Sequence, residues 1–92
     1  MIEYDPVKNE ENKRIRGFGL DAALLLFDGP FVEEEDGRRD YGETRFIAIG
    51  PLPGSGDRLF VAVYTWRGAR RRVISFRKAN DREAKGYRDR QP

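Results

Sequence analysis

The 92-residue chain contains no cysteine and no histidine. Without thiols there is no disulfide framework, no thiolate nucleophile and no thiolate metal site, and nothing calls for an oxidising compartment. Without imidazole, the usual proton shuttle near neutral pH and the commonest metal ligand are missing as well. Long apolar runs are also lacking. The start, Met1-Ile2-Glu3-Tyr4-Asp5, has no basic segment leading into an apolar one, and no stretch approaches the length needed to span a bilayer. The expectation is a cytoplasmic protein with no membrane partner.

What the chain does have is charge. Charged residues make up 37% of it and apolar residues 38%, polar for a globular protein yet rich enough in aromatics to fold. At this length residues 1–92 form one domain with one modest core, and a core that small gains from a partner. The net charge of +2 argues only weakly for nucleic acid. Its distribution says more: Glu33 to Asp36 is acidic, whereas Arg67, Arg70, Arg71, Arg72, Arg77 and Lys78 lie in a stretch without a carboxylate. One end of the fold should be strongly positive.

Asp5-Pro6 opens a helix that Gly17 stops, because Asp accepts the free amides of the first turn and proline there sacrifices no bond. Leu20 to Phe27, rich in Leu and Ala and closed by Asp28-Gly29-Pro30, reads as a short buried helix. A short edge strand fits Phe31 to Glu33, and Gly37 and Gly42 bracket a turn or loop. Three strands follow at Glu43 to Ile49, Arg58 to Trp66 and Arg70 to Phe76. Both parities of the middle one are apolar, so it should be central and covered on both faces. Asn80-Asp81-Arg82-Glu83 has the spacing of a capping box and opens a last helix towards Arg88. The fold class is α+β, with an antiparallel sheet of three to five strands, two N-terminal helices and one C-terminal helix.

The candidate chemistry sits on the hairpin. Crowded arginines repel one another unless carboxylates or phosphates neutralise them, and the planar guanidinium fork suits phosphate. Tyr64 and Trp66 lie nearby and are able to stack bases, which favours RNA or single-stranded DNA over duplex. The competing reading is a solvated face paired with Glu33, Glu34, Glu35 and Asp36, with Tyr64 and Trp66 in the core. Register separates the two. A two-residue turn at Gly68-Ala69 pairs Trp66 with Arg71 and sends Arg67 and Arg77 to opposite faces; a three-residue turn, or a bulge, gathers them on one side.

Other motifs carry less. Gly54-Ser55-Gly56 is too short for a phosphate loop and reads as a turn. The acidic run Glu33 to Asp36 points its side chains in alternating directions and reads as solvated rather than as a metal site. Glu43 and Arg45 share parity and are able to form a surface pair.

In order along the chain, Tyr4-Asp5-Pro6 with Lys8 and Asn12, Phe18 with Ala22-Ala23 and Phe27, Asp28-Gly29-Pro30, Glu43 with Arg45, Ile49-Gly50, Thr65-Trp66-Arg67 and Ile74-Ser75-Phe76-Arg77-Lys78-Ala79, then Glu83 and Tyr87, resemble the BrnT ribonuclease toxins, a branch of the RelE-like fold. One step departs: members commonly carry Lys-His-Gly where this chain has Ile15-Arg16-Gly17.

The resemblance implies an endoribonuclease toxin of a type II toxin-antitoxin pair. It also implies RNA as substrate, a BrnA-like DNA-binding antitoxin as partner, and operator DNA reached through that antitoxin. Cleavage would use the adjacent ribose hydroxyl and need neither metal nor cofactor. It points to Arg67 and Arg77 as phosphate ligands, with Lys78 and Glu43 as further catalytic candidates and Arg45, Tyr64, Arg71, Arg72 and Arg16 as RNA contacts. For the base, Glu43, Tyr64 and a lysine of lowered pKa stay open. The alternative function is a non-catalytic nucleic-acid-binding or antitoxin-binding module with a toxin-like fold.

Overall fold

Helix α1 (Pro6–Arg16) begins as its sequence predicts in the computed structural model, which describes residues 1–37 and 42–90. The Asp5 carboxylate accepts from the Val7 amide at 2.9 Å, and Gly17 closes the helix in the left-handed region at φ 85°. The second expected helix is divided. Leu20–Ala22 forms a 3-10 turn that runs into a five-residue helix α2 (Ala23–Phe27). Its entry is tied to α1, where the buried Asn9 accepts from the Asp21 amide.

Five strands form one sheet in the order β1-β5-β4-β3-β2: β1 (Ile2–Tyr4), β2 (Val32–Glu35), β3 (Phe46–Pro51), β4 (Leu59–Arg67) and β5 (Arg70–Lys78). The sheet is mixed, which corrects the expectation of an antiparallel one: β1 runs parallel to β5, with Ile2 opposite Arg71 and Tyr4 opposite Val73. A three-residue strand has no periodicity to announce it, and its pairing is decided by the neighbour it meets. Strand β3 starts later than Glu43 and extends past Ile49, while the turn expected between Gly37 and Gly42 lies largely outside the described residues.

Strand β4 is central, as its two apolar parities require. On one face Phe60, Ala62 and Tyr64 meet Val73 and Phe76 of β5 under Leu20, Ala23 and Leu26. Phe18 closes this core edge-on to the rings of Phe60 and Phe76, at 5.6 and 5.5 Å between centroids. On the other face Ile49, Leu59 and Val61 pack against Tyr87 and Ala84 of helix α3 (Asp81–Arg90). Each large side chain so enclosed stabilises the fold by about 1.5–3 kcal/mol. The capping box forms: Asn80 Oδ1 accepts from the Glu83 amide at 2.8 Å, and Glu83 accepts from the Asn80 amide at 3.0 Å.

The hairpin joining β4 and β5 has the two-residue turn, with Trp66 opposite Arg71 and Arg67 opposite Arg70. Simple alternation from that turn would place Arg67 and Arg77 on opposite faces. A bulge intervenes: Tyr64 pairs with Val73 and Val63 with Ser75, so Ile74 is an extra residue in β5. Beyond it the parity of β5 is reversed. Arg70, Arg72, Ser75 and Arg77 therefore share the α3 face of the sheet with Thr65 and Arg67. Among the described residues no helix is long and apolar enough to cross a membrane.

Candidate functional site

Helix α3 covers only one end of its face. The other end, where β1 stops and α1 begins, holds a cleft of about 250 Å³. Lys8, Arg45, Arg67 and Arg72 bring four cations to its walls, and Asp5 and Glu43 bring carboxylates. Each has a local origin. Arg67 and Arg72 project from β4 and β5 on the uncovered side, flanking Thr65, which lies opposite Arg72. The Thr65 hydroxyl donates to the Thr44 carbonyl at 2.7 Å and so fixes the segment entering β3, which carries Glu43 and Arg45. Lys8 arrives from the first turn of α1, anchored by the Asp5 cap.

Arg45 and Glu43 are loosely paired, Nε to Oε2 at 3.9 Å. Asp5 is already engaged as the helix cap. The cleft thus has more cationic than anionic groups around a small volume, which favours an anionic ligand. Three guanidinium groups on three segments are able to grip the oxygens of one phosphate from different directions.

Of the residues singled out in the sequence, Arg67, Arg45, Arg72 and Glu43 meet here. Arg16 lines an adjoining groove between α1 and β5. Arg77 does not join them, which corrects the expectation that it shares a site with Arg67. The bulge does bring it to the same face, but it lies opposite Val61, six residues along β4 from Arg67, or about 20 Å at 3.3 Å per residue. There its guanidinium holds both Glu83 oxygens at 2.8 Å, joining β5 to the start of α3.

Lys78 pairs with Phe60 on the opposite face and is exposed. Tyr64 and Arg71 are also on that opposite face, away from the cleft. The Tyr64 side chain is fully buried and its hydroxyl donates to Glu33. Burial, reinforced by that hydrogen bond, raises the phenol above its usual pKa against the opposing influence of Arg71, so it stays protonated. This removes Tyr64 as a base. The Arg71 guanidinium is caged by aromatic rings, its carbon 4.4 Å from the centroid of Phe27, 4.7 Å from Trp66 and 5.3 Å from Tyr64. Trp66 remains 43% exposed at the rim.

Compared with known families, residues 4–83 match the model for the ribonuclease toxin, BrnT, of type II toxin-antitoxin systems. The chain belongs to the BrnT family. The match takes in every residue of the cleft and extends into α3. No curated protein matches the chain. Membership makes it a ribonuclease toxin by descent, with RNA as substrate and an antitoxin as counterpart. The geometry of the cleft adds two residues to those singled out from the sequence, Lys8 and Asp5. Both belong to the BrnT-like pattern of the sequence, yet neither stands among its candidate site residues, which lie on the hairpin, at Glu43 and Arg45, and at Arg16. The available signal was Asp5-Pro6-Val7-Lys8 itself, which places a lysine in the first turn of a helix, where the helix dipole gives it no reason to be.

Proposed function

We propose that the protein is a metal-independent endoribonuclease of RelE-like type that cuts RNA in the cleft between α1 and the β4–β5 hairpin. The observation that carries this reading is the convergence of Lys8, Arg45, Arg67 and Arg72 with the carboxylate of Glu43 around one small volume.

The ribose 2′ oxygen attacks the adjacent phosphorus, and the P–O5′ bond breaks. Glu43 takes the 2′ proton, and the leaving 5′ oxygen takes a proton from the Lys8 ammonium. The products are a 2′,3′-cyclic phosphate and a 5′ hydroxyl, and both side chains are reset by exchange with water. Arg45, Arg67 and Arg72 hold the phosphoryl oxygens while negative charge grows on them, the electrostatic part of the rate enhancement. Holding the strand so that the 2′ oxygen, phosphorus and 5′ oxygen lie in line supplies the rest.

The position of Arg16 supports a catalytic reading over a non-catalytic binding module. The family histidine it replaces would fall in the adjoining groove, outside the walls that carry Glu43 and Arg67. A BrnA-like DNA-binding antitoxin is the proposed inhibitor, covering the cationic cleft with acidic groups and bringing the pair to operator DNA. The proposed setting is cytoplasmic.

Purified protein incubated with single-stranded RNA and a chelator should yield fragments ending in cyclic phosphate. Glu43→Gln should lower the rate about 100- to 10,000-fold, the range for losing a general base. Intact RNA after long incubation of the parent protein would reject the proposal.

A further inference from the structure

The cleft is not closed at the α1 side. A second groove of about 270 Å³ runs between α1 and β5, lined by Asn12, Arg16, Leu20 and Ser75 among others. It shares two walls with the cleft: Lys8 and Ile74 line both. This continuity follows from the fold. Strand β1 pairs with β5 only as far as Val73, and the bulged Ile74 comes next. Beyond it the edge of β5 faces α1, held there by Asn12, whose amide donates to the Phe76 carbonyl at 3.2 Å and to the Phe18 carbonyl at 2.8 Å. The missing strand leaves a trough where a sheet edge would be.

We infer that the α1–β5 groove is a second nucleotide subsite, through which single-stranded RNA leaves the cleft with Lys8 between two consecutive phosphates and Arg16 on the next. This rests on the reading of the cleft as the site of cleavage and extends it. The two cavities together present Lys8, Arg16, Arg45, Arg67 and Arg72 against Asp5, Glu11 and Glu43, so the path stays cationic overall. From the level of Arg67 to that of Ser75, which is opposite Val63, is four residues of strand, or about 13 Å, longer than one nucleotide needs. Between the cations Ile15, Leu20 and Ile74 offer apolar surface suited to the face of a ribose or base, beside the polar Asn12 and Ser75. Glu11 is the one carboxylate of the groove itself, and it makes an acidic protein segment a poorer occupant than a strand that can offer it a ribose hydroxyl.

The test uses two probes on the whole protein. Binding of a single-stranded deoxyhexanucleotide, which lacks the attacking hydroxyl, is titrated against salt for the parent and Arg16→Ala. Cleavage is followed with a ribodinucleotide and with a hexanucleotide carrying a single ribose. Loss of one phosphate contact should reduce the slope of log affinity against log salt by about 0.7. It should also shrink the advantage in kcat/KM of the hexanucleotide over the dinucleotide severalfold, through KM. An unchanged slope, or equal scaling of both substrates, would overturn the subsite and give the groove to a protein segment instead. Absence of cleavage by the parent with the slope change intact would defeat the nuclease reading while keeping the groove as a nucleic-acid site.

Discussion

Replacing Arg77 by alanine should unfold the protein earlier without disabling its chemistry. Its guanidinium makes two parallel hydrogen bonds of 2.8 Å to Glu83, and the two side chains are 29% and 22% exposed. Hydrogen bonds to charged groups contribute about 1.5–3 kcal/mol each when enclosed, and solvent at this partly open site reduces that. Glu83 also keeps the Asn80 amide when Arg77 is gone. A net loss of about 2 kcal/mol is reasonable for the pair. In a domain this size each kcal/mol moves the melting temperature by about 4–8 °C, so Arg77→Ala should melt about 8–16 °C lower. Circular dichroism melts of Arg77→Ala, Glu83→Ala and the double variant should reveal coupling, because Arg77→Ala costs little once Glu83→Ala is made, whereas Glu83→Ala made second still costs the bond to the Asn80 amide. RNA cleavage well below the lowered melting temperature should stay within a few-fold of the parent. Arg67→Ala should do the reverse: no more than about 0.5 kcal/mol in stability, because Arg67 is exposed, and about a 100- to 1,000-fold loss of rate. An Arg77→Ala protein that melts with the parent yet cleaves a hundredfold more slowly would refute this division of labour.

Two further outcomes can be checked in solution. Because burial raises the folded-state pKa of Tyr64 above its unfolded value near 10.0, its contribution to stability is complete below pH 10 and is lost as pH rises through the folded value. Alkaline unfolding above pH 10 should therefore be shallower in Tyr64→Phe, measured by denaturant titration, with RNA cleavage at neutral pH little affected. Gly50→Ala should destabilise by about 1–3 kcal/mol in the same assay, since a Cβ there would come within 2.6 Å of the Pro30 carbonyl oxygen and 3.0 Å of the Phe31 Cβ.

Much of this architecture was legible in residue order, for reasons that differ from element to element. Helix α1 and the start of α3 are governed by caps, Asp5 with Gly17 and Asn80 with Glu83, and such local chemistry survives whatever the rest of the fold does. The central place of β4 follows from two apolar parities. The cleft was half legible. Arg67, Arg72, Arg45 and Glu43 are sequence neighbours on a hairpin and the segment beside it, whereas Lys8 meets them only because a three-residue parallel strand delivers α1 to the same corner. The bulge at Ile74 was illegible, since no glycine or proline announces it and branched residues sit in regular strands as readily. With it went the means to place Arg77, whereas the face of Arg71 and Tyr64 is set by the turn at Gly68-Ala69. Arg71 and Tyr64 lie among or beside the hairpin arginines in sequence, yet both are on the face that packs under Leu20, Ala23 and Leu26.

The extra residue in β5 also makes that strand a sentence read in two frames. Before Ile74, even-numbered positions serve the cleft and odd ones the core; after it the assignments exchange, so Phe76 is interior and Arg77 is able to grasp α3. Deleting a single residue here would leave either the phosphate-facing arginines or the helix anchor pointing the wrong way. The length of this nine-residue strand is therefore fixed by both of its tasks.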